Sequence, residues 1–264
     1  MKALFYLLGL FTIFTSCQKV IDVDLNDSNP QFVIEANYTA EDSTVRMRMT
    51  KSSGYFDSNP TPIVNNAVAT ISDEAGNSQT LINLGDGNYI LTAYIPNFNT
   101  TYTMSVLHDG VTYTSSTALS SIVPLNGVTY EFFPDFFDSG EGYRVYLNYT
   151  DPGVVANYYF ALITHNGNIR NDVSNFILSD DQVTDGNMIE RPLFIDTLFQ
   201  IGDTIEIELR SVGQNVFEYY SEVQTIAGDG QGNAAPANPP KMWGNEAFGY
   251  FCAYGNDRNS VIIE

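Results

Sequence analysis

The chain has 264 residues, with 31 acidic and 11 basic side chains and a formal net charge of −20. Because this charge would repel nucleic acid and anionic lipid headgroups, the composition argues against both as main partners. The length is enough for one large β domain or two domains of ordinary size. Tyrosine and phenylalanine are abundant, at 17 each, and long helical periodicities are nearly absent, which predicts an all-β fold.

The N-terminus has the pattern of an export signal that ends at a cysteine. An apolar run follows Lys2, and small residues stand directly before Cys17. The run is too short for a membrane span, which needs roughly 20 apolar residues. We therefore predict a lipoprotein signal peptide at 1–16, acyl chains such as palmitate on Cys17, and an acidic tether at 17–29. Phe14 replaces the leucine usual in such signals, and the alternative is an incidental cysteine near an ordinary cleavage site.

Residues 30–120 contain a series of short strands. Apolar and polar side chains alternate in each, and Gly, Asn, Asp or Pro stands at each junction. In the second strand the alternation turns Arg46, Arg48 and Lys51 outward. The number and spacing of the strands predict an immunoglobulin-like or fibronectin-type β-sandwich. The predicted strands are QFVIEANYT, VRMRMTKS, AVATIS, SQTLINL, YILTAYI, TYTMSVL and VTYTSSTAL.

Residues 121–264 are predicted to form a second β-rich, sandwich-like domain with one helix. The segment SIVPLNGV interrupts the alternation and marks the joint between the two units. The helix is expected near 215–227, where apolar residues have helical spacing, Asn215 can cap the first turn and Gly228 follows the last. The predicted strands are GYRVYLNYTD, NYYFALITHNG, IERPLFIDT, DTIEIELRSV and, at the end, AFGYFCAYG.

The sequence lacks the usual catalytic motifs, with no G-x-S-x-G, H-E-x-x-H or C-x-x-C pattern. The two histidines, His108 and His165, each precede a turn, in HDG and HNG, and are predicted to be hairpin residues. Cys252 has apolar neighbours, which indicates a small buried side chain and not a nucleophile. These patterns favour a protein that is not an enzyme.

Aromatic side chains are the candidate contacts for a partner or ligand. Phe132, Phe133, Phe136 and Phe137 cluster in EFFPDFFDSGEG, where strict strand alternation would not place four phenylalanines. If exposed, they form a patch large enough to dock a protein or to stack on a sugar or peptide. The alternative is that they plug the joint between the two units. Trp243, after a proline-rich loop, is the second candidate, because tryptophan is enriched at binding hot spots.

Calcium is the one cofactor besides the lipid on Cys17 that the sequence leaves open. Asp180, Asp181 and Asp185 in SDDQVTDGN could converge on a hard cation, and the alternative is a solvated loop. We expect no cofactor and treat these three aspartates as weak candidates.

The order of several segments resembles a lipoprotein family of Bacteroidota named only as a domain of unknown function. These segments are KVIDVDL after the lipid cysteine, PQFVIEA, KSSGYFDSNPTPIVNNAVATISDEAGN, DPGVVANYYFALITHNG, DGNMI, GDTIEIELRSV, FEYYSEV and PANPPKMWGNEAFGYFCA. Together they extend over nearly all of the mature chain, while EFFPDFFDSGEG departs from the family pattern. Members are usually encoded beside TonB-dependent outer-membrane receptors of the SusC or RagA kind, and the family offers no established catalytic residues.

The resemblance implies a non-enzymatic outer-membrane lipoprotein that acts as an accessory or substrate-capturing partner of a TonB-dependent receptor. We expect it to face the cell surface, with the periplasmic face as the alternative. Two other functions remain open: a structural or assembly subunit of a cell-envelope complex, and a hydrolase with an unfamiliar site.

Overall fold

The structure, a computed structural model, describes residues 30–53, 60–134, 140–193, 198–228 and 239–264. Within these ranges the chain forms strands throughout and one α-helix, which confirms the predicted all-β class. No helix among the described residues has the length and apolar character needed to cross a membrane. The predicted signal peptide, Cys17 and the acidic tether lie outside the described residues.

Several of the longer strands alternate buried side chains with more exposed ones, as their sequences predict. In chain order the elements are β1 (Phe32–Thr39), β2 (Thr44–Lys51), β3 (Val68–Asp73), β4 (Ser78–Thr80), β5 (Ile82–Gly85), β6 (Asn88–Leu91), β7 (Thr100–His108), β8 (Val111–Leu119), β9 (Leu125–Phe133), β10 (Gly142–Thr150), β11 (Tyr158–His165), β12 (Asn168–Arg170), β13 (Ile177–Asp180), β14 (Met188–Pro192), β15 (Thr204–Val212), α1 (Gln214–Gly228) and β16 (Phe248–Ile262).

Among the described residues, three sheets build two sandwich-like halves. Sheet A has nine strands in the order β12-β11-β15-β16-β1-β2-β6-β5, and β13 also pairs with β11. Sheet B (β4-β3-β7-β8) shares a hydrophobic core with the β1, β2 and β6 part of sheet A. Sheet C (β14-β10-β9) shares a second core with the β11 and β15 part. One long sheet therefore runs through both halves.

The last strand, β16, belongs to both halves. It pairs in parallel with β1 and antiparallel with β15. Residues Trp243, Ala247, Phe251 and Ala253 lie in the core of the first half, although the rest of that core comes from residues before 120. The C-terminal segment therefore completes the first core. The division into units at 30–120 and 121–264 stays a prediction.

One predicted strand, SQTLINL, is two strands in the structure. β4 belongs to sheet B and β5 to sheet A, so the chain crosses between sheets at Leu81. The Leu81 side chain is buried, and its N–H donates to the carbonyl of Ala69 at 2.8 Å. The predicted strand YILTAYI also ends early, at Leu91, and Ala93 has a φ of +58° that a strand cannot hold.

Helix α1 matches its predicted position, but its first turn is held differently. Asn215 lies inside the helix, where its amide donates to the carbonyl of Ser116 at 2.8 Å and accepts from Thr117 Oγ1 at 3.2 Å. Asn215 therefore ties the helix to β8, and the predicted capping role is wrong. On the outer face of sheet A, Val216 of α1 packs among residues that include Phe160 and Cys252. The helix covers the β11, β15 and β16 part of that face.

Candidate functional site

Trp243 is a core residue, and its prediction as a partner contact is wrong. Only 3% of the side chain is exposed, and it packs with the first hydrophobic core. Its indole N–H donates to the carbonyl of Ile34 on β1 at 2.9 Å. Sequence context could not reveal this, because Trp243 and Ile34 are 209 residues apart.

The structure describes two of the four phenylalanines in the aromatic segment, Phe132 and Phe133. Phe132 is 52% exposed at the end of β9, with its ring edge-to-face against that of Tyr143 at 5.6 Å. Phe133 is partly buried, and the Arg144 guanidinium lies 4.0 Å from its ring centre. Phe132 is roughly 23 Å along the strand from the start of β9, at about 3.3 Å per residue. The rings of Phe132 and Phe133 therefore do not plug the joint between the two units at the start of β9. Phe136 and Phe137 lie outside the described residues.

The sequence motifs around histidine and cysteine have structural roles. His108 pairs with Val111 and His165 with Asn168, each across a two-residue turn with positive φ at both positions, which confirms the predicted hairpins. Cys252 is buried beneath α1, and burial raises the pKa of its thiol to about 12. The thiol is therefore protonated at neutral pH and a poor nucleophile.

Three aspartates converge, but they are not the three that the sequence indicated. Carboxylate oxygens of Asp151, Asp181 and Asp185 lie within 4.8 Å of one another. Asp180 is not in this group; its carboxylate accepts from the N–H of Gln182 at 3.4 Å. Sequence reasoning missed Asp151, because it is about 30 residues from the others and reaches them only when the loops after β10 and β13 meet.

Each carboxylate in this group already accepts a hydrogen bond from the chain. Asp151 accepts from the Tyr159 hydroxyl at 2.5 Å and from the N–H of Gly186 at 3.0 Å. Asp181 accepts from the N–H of Asn157, and Asp185 from the N–H of Val154. Burial, followed by the hydrogen bond to Asp151, raises the pKa of Tyr159 above its ordinary value. Carboxylate oxygens suit a hard cation chemically, but these hydrogen bonds account for the arrangement as loop structure.

We expect Asp151→Ala to lower the free energy of unfolding by about 3 kcal/mol, because it leaves the buried Tyr159 hydroxyl and the Gly186 N–H without an acceptor. Urea unfolding followed by circular dichroism measures the change. Asp185→Ala is the matched control with an expected cost below about 1 kcal/mol, since Asp185 is exposed. Equal costs for the two variants would contradict the structural role of Asp151.

Val154 has a conformation that valine rarely adopts. Its φ is +84° and its side chain is 96% exposed, so no packing offsets the strain. We expect Val154→Gly to stabilise the protein by about 1 kcal/mol, because relief of the left-handed conformation exceeds the entropic cost of glycine. Val155→Gly is the control: Val155 is exposed but lacks positive φ, so it should be destabilising. The thermal midpoint measures both, and a loss of stability in Val154→Gly would contradict the prediction.

A groove lies on the part of the outer face of sheet A that is not beneath α1. Two rows of side chains cross the strands there, and the strand register aligns each row. The first row is Tyr250, Glu35, Arg48 and Asn88, and the second includes Asn37, Arg46 and Ile90. The outward direction of Arg46 and Arg48, predicted from the alternation in β2, is confirmed, whereas Lys51 is partly buried over the Phe32 ring. With Leu84 of β5 at one side, these residues enclose about 410 Å³.

Tyr250 lines the groove, and Tyr219 and Tyr220 of α1 pack against it to form a tyrosine wall. The Tyr250 ring lies 5.7 Å from that of Tyr219 and 5.5 Å from that of Tyr220, and its hydroxyl accepts from the Asn37 amide at 3.3 Å. Burial, together with Tyr250 and Glu35, raises the pKa of Tyr219 to about 12. The wall is therefore neutral at physiological pH.

Arg48 differs from the other basic side chains that the structure describes. Its guanidinium makes no hydrogen bond, ion pair or ring contact with a described residue, whereas Arg46 pairs with Asp42. Each of the others contacts a carboxylate, a carbonyl oxygen, a histidine nitrogen or an aromatic ring; these are Lys51, Arg144, Arg170, Arg191, Arg210, Lys241 and Arg258. The groove can therefore offer a donor set of arginine and amide groups to a ligand.

Comparison with known proteins gives a family without an assigned activity. No curated protein matches the chain. Residues 18–260 match one family model, which covers nearly all of the chain and both sandwich-like halves. The chain therefore belongs to the family described as Domain of unknown function (DUF4249).

Proposed function

We propose that this protein is a lipid-anchored, non-enzymatic binding protein of the outer membrane that captures a ligand and acts as an accessory partner of a TonB-dependent receptor. The observation that carries the proposal is the groove on sheet A, a concave surface with an arginine that no described residue engages. Ligand sites are typically concave and combine apolar lining with a few polar groups that fix orientation.

The anchor is supported by the sequence. The apolar signal that ends at Cys17 would leave a tethered body next to the membrane, and lipid chains contribute about 0.8 kcal/mol per buried CH₂. Tethering raises the effective concentration of the body near a membrane receptor, so weak contacts suffice for a partnership. The resemblance to lipoproteins encoded beside SusC- or RagA-like receptors supports the choice of partner. Exposed Phe132 is a candidate contact for it.

The partnership is tested by purification from the native bacterium in mild detergent. The protein carries a tag after Glu264, and mass spectrometry identifies what co-purifies. We expect a β-barrel receptor in stoichiometric amount. Recovery of the protein alone would contradict the partnership. Recovery of an envelope complex without a receptor would favour the assembly-subunit alternative. A Cys17→Ser variant, which cannot be lipidated, is the control and should leave the membrane fraction.

A further inference from the structure

We propose that the groove on sheet A binds an extended acidic peptide with carboxylates on alternate residues, held by Arg46 and Arg48. This names the ligand class of the groove and so rests on the proposed function.

Charge identifies the ligand as an anion. The protein has a net charge of −20, so its surface in general repels anions, yet two exposed arginines and one carboxylate, Glu35, line this groove. Glu35 stands directly opposite Arg48 in the register of β1 and β2, but their charged groups are not within ion-pair distance. The Arg48 guanidinium is therefore available for a bidentate pair with a ligand carboxylate.

Spacing identifies the ligand as an extended chain. Arg46 and Arg48 lie on the same face of β2 with one residue between them, which separates them by about 6.7 Å along the strand. Carboxylates on alternate residues of an extended peptide have the same separation. Arg46 already pairs with Asp42, but both side chains are exposed, and such pairs contribute little and exchange readily.

The remaining lining suits a peptide better than a sugar. The amides of Asn37 and Asn88 lie beside the arginines and can bond a peptide backbone, while Ile90 and Leu84 offer apolar contact to its other side chains. A sugar would need an open aromatic face for stacking, but the tyrosine wall has its rings packed on one another.

The test uses two blocked, fluorescein-labelled peptides of identical composition, SETEL with alternate glutamates and SEETL with adjacent ones. Fluorescence anisotropy with the full chain, purified in mild detergent, measures both dissociation constants at 0.15 M salt, where charges beyond about 8 Å are screened. We expect SETEL to bind at least tenfold more tightly than SEETL. Equal affinity for the two peptides, or no binding of SETEL, would overturn the proposal.

Variants locate the site. Arg48→Gln should weaken SETEL binding at least tenfold, and Glu35→Gln should strengthen it two- to threefold. Lys51→Gln removes a cation from the same strand outside the groove and should change affinity less than twofold. Unchanged affinity in Arg48→Gln, with the thermal midpoint of the parent, would overturn the assignment to this groove. Receptor co-purification without SETEL binding refutes the ligand class alone, whereas SETEL binding without a co-purified receptor refutes only the partnership.

Discussion

Replacing Gly249 by alanine is expected to lower the free energy of unfolding by about 4 kcal/mol. Gly249 has a φ of +98° in β16, and a Cβ added there would lie 2.1 Å from the carbonyl oxygen of Ile34. The left-handed conformation costs an alanine about 1–3 kcal/mol, and overpacking against backbone adds a similar amount. The contact belongs to the parallel pairing of β16 with β1, so the strain weakens the pairing that completes the first half. Urea unfolding followed by Trp243 fluorescence measures the change.

Gly244 provides the matched control in the same C-terminal segment. A Cβ at Gly244 would meet Thr114 Oγ1 at 3.5 Å, an ordinary contact, and no positive φ restricts the position. Gly244→Ala should therefore stay within about 1 kcal/mol of the parent protein. If Gly249→Ala were as stable as Gly244→Ala, the close approach of β16 to β1 would be wrong.

Trp243→Ala is the second large effect, with an expected loss of about 4–5 kcal/mol. Truncating a buried tryptophan usually costs 3–5 kcal/mol, and here the Ile34 carbonyl also loses the indole donor. Because the chain has a single tryptophan, unfolding of this variant is followed by circular dichroism in urea.

Trp243→Phe separates the two causes. Phenylalanine keeps most of the apolar contact with the first core but loses the hydrogen bond to Ile34, so we expect a loss of about 1–2 kcal/mol. A surface hot spot would behave differently: its truncation would leave the urea midpoint of the free protein unchanged. An unchanged midpoint in Trp243→Ala would return this residue to the candidate binding contacts.

Both predictions concern the segment that joins the C-terminus to β1. Trp243 donates to the Ile34 carbonyl, and Gly249 leaves room for the same oxygen. We therefore expect the two halves to unfold together, because the first core is incomplete without β16.

Local patterns predicted much of the secondary structure. Alternation placed β1, β2, β7 and β8 within one residue of their ends, and the HDG and HNG turns are the hairpins that their residues require. The spacing of apolar residues placed α1 within one residue at each end. Alternation failed at SQTLINL. Leu81 is buried, as it could be in one continuous strand, but the chain passes from sheet B to sheet A at this residue.

The candidate sites were predictable only in part. The outward direction of Arg46 and Arg48 followed from β2 alone. The groove did not, because it also needs Tyr250, which reaches β1 through the parallel pairing of β16. Asp151 likewise joins Asp181 and Asp185 only through the meeting of two loops.

The amino-acid sequence by itself determined the all-β class, the faces of most strands, the turns and the helix, since these depend on backbone geometry within a few residues. Only the tertiary structure decided that Trp243 is buried, that β16 serves both halves and that one arginine faces a groove without a partner among the described residues. Pairing between distant strands depends on which apolar faces can be buried together, and that is a property of the whole chain.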